Sequence, residues 1–147
     1  MSSTMEESSP NAHWIPFFRF KSDIWLGLVG DMLYVGTLDG PLKSIEPDNS
    51  VALLPLLEFG YSEVVSAVSA REDELGWPKN SIMSNIRPIL LLQAAISMES
   101  VYWTELALKW VDPLSVTEQE RAILIDLQQC DWATQAIKHK VKAYLRQ

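Results

Sequence analysis

His13, Cys130 and His139 are the only histidines and the only cysteine in this chain of 147 residues. They represent the side-chain types most used as nucleophile, general base and transition-metal ligand. A zinc site draws three or four Cys, His or carboxylate ligands at suitable spacing, and these three residues offer no such cluster, so no metal site, catalytic set or cofactor is expected. Cys130, beside Asp131 at an expected helix end, reads as a small packing residue. No G-x-S-x-G elbow, H-E-x-x-H helix, P-loop or G-x-G-x-x-G turn is present, and Gly27, Gly30 and Gly36 fit none of them.

Carboxylates are the remaining candidates for chemistry. Glu72-Asp73-Glu74, and Glu118 with Glu120, place acids close enough in sequence to suggest the paired acid and base of a glycosidase. Both groups fall at expected helix ends, where solvation, capping and dipole effects explain them without catalysis. The first is followed by Gly76-Trp77-Pro78. Glu72, Asp73, Glu74 and Trp77 therefore form a candidate partner-binding set, able to hold Lys or Arg by charge pairing and cation–π contact. The competing reading is a solvated helix end with Trp77 folded inward.

Charge decides which partners are physically reasonable. The formal net charge is −7, from 19 acids and 12 bases. Lys138, Lys140, Lys142 and Arg146 hold four of those bases, so residues 1–137 carry eight bases against nineteen acids, or −11. A field of that sign repels nucleic acid and anionic lipid and speeds encounter with a basic partner; solubility alone is the competing explanation. One basic element runs the other way. IKHKVKAYLRQ at 137–147 places Lys138, His139, Lys142 and Arg146 on one side of a helix that follows another after a short turn, as a recognition helix would. The acidic body opposes it, and nucleic acid is not an expected partner.

The elements that must position these residues change character along the chain. Residues 1–12 carry Glu6 and Glu7 and no apolar run, which predicts a disordered tail rather than a signal segment. The longest apolar stretch, PILLLQAAI at 88–96, is far short of the roughly 20 residues needed to span a bilayer. With one cysteine there is no intramolecular disulfide. A soluble, cytoplasmic protein is expected, with residues 13–147 as a single globular domain.

Within that domain, 13–46 is rich in aromatic and β-branched residues. Trp14, Ile15, Phe17, Phe18 and Phe20 open it. Gly30-Asp31 suits a type II′ hairpin loop, and Asp39-Gly40 offers a second turn, giving an antiparallel meander of about 24–29, 32–38 and 42–46. A helix through Ile24, Leu28, Met32 and Val35 is the alternative, but each glycine in its interior would cost about 1 kcal/mol. Over 50–147 the period moves toward 3.6. A short helix broken at Pro55 is expected at 50–59, and then one over 63–75 capped by Ser62, with Val64, Val65, Val68 and Leu75 inward. Next come 85–97 capped by Ser84 and 99–111 stopped by Asp112-Pro113, with Ser97 and Ser100 leaving their continuity open. Thr117 and Glu120 make a capping box for 118–129, and Asp131 caps 132–146. The fold class is α+β, mainly α, with a small N-terminal antiparallel β-meander packed on a C-terminal bundle or stack of antiparallel helices. At least half of the six tryptophans are expected to be substantially buried; Trp14 and Trp25 suit either a core cap or a binding surface.

VYWTELALKWVDP and DWATQAIKHKVKAYL resemble helical segments of small bacterial immunity proteins encoded beside polymorphic or contact-dependent inhibition toxins. The small, acidic profile without a catalytic set is similar to that group. The resemblance implies a protein that binds one cognate toxin, often a nuclease, and blocks its active site or its access to substrate; it transfers no individual residue. A phage-encoded inhibitor or regulatory adaptor shares every one of these features. A small enzyme with a carboxylate-lined pocket is the alternative from a different class.

Overall fold

The computed structural model describes residues 14–21, 23–46 and 49–146. His13 and the tail expected over 1–12 lie outside them. The fold is α+β with helix predominating: four strands come first and helices follow. The chain divides into two compact units, 1–86 and 87–147.

The first unit holds a four-stranded antiparallel sheet in the order β1-β2-β3-β4, made of Trp14–Lys21, Ile24–Val29, Met32–Thr37 and Gly40–Ser44. The first aromatic block thus adds a strand to the expected meander. Gly30 takes φ 63 in the β2–β3 loop, the left-handed value that a first hairpin position requires, and Val29 pairs with Met32 on either side of it. The second turn is displaced by one residue from Asp39-Gly40. Thr37 pairs with Gly40, so Leu38-Asp39 is the loop, and the Asp39 N–H donates to Thr37 Oγ1 at 3.2 Å.

β1 is an edge strand, which accommodates Pro16. Its pairing with β2 shifts between Pro16 and Phe18 and again between Arg19 and Lys21. An extra residue at a bulge interrupts the two-residue alternation of faces, so Phe17, Phe18 and Phe20 are all buried. Trp14 clasps the sheet: its ring lies where a Cβ on Gly27 would stand, 2.5 Å from Cη2, and its indole N–H donates to the Thr37 carbonyl at 2.8 Å.

The rest of this unit closes its core. Val51–Glu58 is a 3-10 helix that contains Pro55 and buries Leu53, Leu54, Leu56 and Leu57. Phe59 meets Phe18 edge to face at 5.0 Å. Helix α1, Tyr61–Leu75, begins two residues before the expected 63 with Gly60 at its N-cap, so Ser62 is not the cap. Val64 and Val68 are fully buried, while Val65 and Leu75 are only partly so.

The second unit contains α2 Pro88–Ser97, α3 Val101–Leu108, α4 Glu118–Gln128 and α5 Gln135–Leu145. α2 packs on α3, α4 on α5, and α3 and α2 contact α5 and α4 respectively. The start of α2 differs from the expected 85 because the residue before a proline is disfavoured in helical conformation. Arg87 is extended at φ −94 and ψ 131, Pro88 takes N1, and Ser84 belongs instead to a 3-10 turn, Met83–Asn85. The chain breaks between α2 and α3: Glu99 adopts φ 51, and the Ser100 hydroxyl accepts the Trp103 N–H at 3.1 Å as N-cap. α3 ends at Leu108, before Asp112-Pro113 is reached.

The capping box forms as expected, each partner accepting the other's backbone N–H at 3.0 Å. α5 starts three residues later than 132 because Thr134, not Asp131, caps it, accepting from the Ile137 N–H at 3.2 Å. Leu91, Leu92, Leu124, Leu127, Ile137 and Val141 fill the core of this unit. No single helix among the described residues is long and apolar enough to cross a membrane.

Candidate functional site

The end of α1 brings the candidate residues together and also separates their roles. Gly76 at φ 70 lets the chain leave the helix as a Schellman cap: the Gly76 N–H donates to the Asp73 carbonyl at 3.1 Å and the Trp77 N–H to the Glu72 carbonyl at 2.9 Å. Glu72 is 1% exposed, so it does not share a docking surface with its neighbours. Its Oε1 accepts the Asn80 N–H at 3.0 Å, and its Oε2 accepts those of Ile82 at 2.8 Å and Met83 at 3.3 Å. The carboxylate thus folds the loop 76–86 back onto the helix, which removes it from the partner-binding set. Backbone N–H donors in a loop carry no side-chain signature, so this role of Glu72 is not legible from residue types or spacing.

Asp73 and Glu74 are exposed, and Trp77 is half-buried. Acids in the last helical turn face the negative end of the helix dipole, which disfavours them by roughly 0.3–1 kcal/mol each. No basic residue stands in that turn to offset them. Arg71, one turn earlier, does so in part: its Nη1 meets Glu74 Oε1 at 3.2 Å and its Nε donates to the Pro16 carbonyl at 3.1 Å.

Arg71 and Glu74 also line an open groove of about 320 Å³ with Trp25, Leu38, Ala67 and Ala70. Leu38 is 64% exposed at the β3–β4 turn. The tryptophan that lines this groove with Glu74 is Trp25, contributed by β2; Trp77 does not line it. The strand pattern contains the signal for this, since Trp25 alternates with the buried Leu26 and Leu28, but nothing local ties it to Glu74, 49 positions away by number.

The other candidates are dispersed. Glu120 is 6% exposed and committed to the capping box, whereas Glu118 is exposed. Cys130 is half-buried, its Sγ donating to the Asp126 carbonyl at 3.5 Å. His139 is exposed on α5 with Lys140 and Lys142, and Lys138 is partly buried. Among the described residues no group of three or more His, Cys, Asp or Glu side chains could hold a metal ion. Of the tryptophans, Trp110 is buried and the other five are partly exposed. A second groove of about 340 Å³ lies in the helical unit between Leu108, Lys109, Pro113, Lys140, Ala143 and Tyr144. The Tyr144 hydroxyl donates to the Leu108 carbonyl, and burial pushes its pKa up from 10.0.

Charge separates the two units. Residues 1–86 contain twelve acids and five bases, a net −7, whereas residues 87–147 contain seven of each. Comparison with known proteins found no matching family model, no matching curated protein and no matching solved structure.

Proposed function

We propose that this protein is an immunity protein that acts in the cytoplasm by binding a cognate toxin with a basic surface, such as a nuclease, and works by occupancy rather than catalysis. The observation that carries the reading is the segregation of charge: the entire −7 belongs to residues 1–86, while 87–147 is neutral. Acids occur in both units, twelve and seven, but only five bases accompany the twelve while seven balance the seven. The uncompensated charge gives 1–86 a field that steers a basic partner and competes with a phosphate backbone for its cleft.

The end of α1 supports the same reading. Asp73 and Glu74 are both exposed there and add to the negative field of 1–86. Co-expression with the product of the adjacent upstream gene tests the proposal. Restored growth of the toxin-producing cell together with a co-purifying complex is the expected result; neither protection nor a complex would refute it.

A further inference from the structure

We infer that the groove beside Trp25 is an anchor pocket for one arginine side chain of a basic protein partner, an inference that rests on the reading of residues 1–86 as the binding unit. Its apolar part comes from Trp25, Leu38, Ala67 and Ala70, and its rim from Arg71 and Glu74. At about 320 Å³ it lies at the bottom of the usual range for small-molecule sites, roughly 300–1,000 Å³. That size suits a single long side chain.

The composition specifies which one. A guanidinium has an apolar stem, stacks on an indole face and meets a carboxylate through a planar fork. Trp25 is half-buried and Leu38 largely exposed, so both present apolar surface to an entering stem. Glu74 is 66% exposed and uses Oε1 toward Arg71, leaving its carboxylate open to a second cation. Arg71 is restrained by the Pro16 carbonyl as well as by Glu74, so its charge is partly neutralised and its position fixed. The surplus of acids in 1–86 makes the surroundings complementary to a basic segment.

The experiment uses the full chain, isotopically labelled for NMR, and two short peptides that differ only in carrying arginine or its neutral isostere citrulline. Addition of the arginine peptide shifts the Trp25 indole resonance and the amides of Leu38 and Ala67–Glu74. Glu74→Gln weakens its binding roughly fivefold, the scale of one exposed ion pair, and Leu38→Ser weakens it without loss of the folded spectrum. Equal binding of the citrulline peptide would overturn the guanidinium anchor. Shifts at other acids of 1–86 but not at the groove would overturn the pocket and leave the acidic-unit reading standing. No response to either peptide anywhere in 1–86 would overturn both.

Discussion

The two units use polar groups to opposite ends. In 87–147 the polar side chains complete the helices: Thr117 with Glu120, Ser100 and Thr134 each supply an orphan backbone donor with an acceptor. In 1–86 one acid, Glu72, is drawn inside to organise a loop, and its neighbours Asp73 and Glu74 stay exposed where the helix dipole disfavours them. The dipole cost is not confined to the acidic unit, since α4 carries Asp126 in its last turn as α1 carries Asp73 and Glu74, each without a base in that turn. What differs is the net charge, −7 in 1–86 against zero in 87–147.

The largest expected effect lies at Glu72, in the acidic unit. Glu72→Ala leaves three loop N–H groups, those of Asn80, Ile82 and Met83, without their acceptor. Unsatisfied buried donors cost about 1–3 kcal/mol each, and partial access of water to the loop reduces the sum to about 4 kcal/mol, read by urea denaturation. Hydrogen-exchange protection is expected to fall first at 76–86. In the helical unit the comparable lesion is apolar. Leu124 is fully buried, and Leu124→Ala is expected to cost about 3 kcal/mol by the same measurement, from lost transfer energy and the cavity left behind.

Smaller effects are expected at the helix caps and at Tyr144. Thr117→Ala removes half of the capping box and is expected to cost about 1 kcal/mol, measurable as a lowered midpoint with an unchanged denaturant slope. Tyr144 gives the helical unit a pH dependence. Its folded pKa is raised above the unfolded 10.0, so above that value the unfolded chain ionises first and releases more protons. Stability is therefore full below pH 10 and falls as pH rises toward the folded pKa. Alkaline denaturation of Tyr144→Phe should lack this component. The smallest expected effect has the most telling sign: Asp73→Asn relieves the clash with the α1 dipole, raising stability by about 0.5 kcal/mol while slowing association with a basic partner.

Legibility in the sequence followed the range of the interactions. The Gly30-Asp31 hairpin and the Thr117–Glu120 box are set by residues within a few positions of one another, and both form where expected. Pro88 was readable as a helix-start residue, yet its effect on Arg87 moved the start three residues beyond 85. Asp131 and Thr134 are both residue types that cap helices, and it is the Thr134 hydroxyl that accepts the Ile137 N–H.

Of the proposed binding residues, Asp73 and Glu74 are exposed, whereas Glu72 is buried by its bonds to the backbone of residues 80–83, and the groove that Glu74 lines takes its tryptophan from β2. Both facts arise from folding that sequence spacing does not encode.

We propose that residues 1–86, and not 87–147, hold a basic partner. The most direct test is an affinity pulldown of the tagged full chain from native cell extract at low and high salt, followed by cross-linking of the retained complex. A single basic protein, held at low salt, loosened at high salt and cross-linked within 1–86, is the predicted result. A partner that is not basic, or one cross-linked only within 87–147, would overturn this assignment.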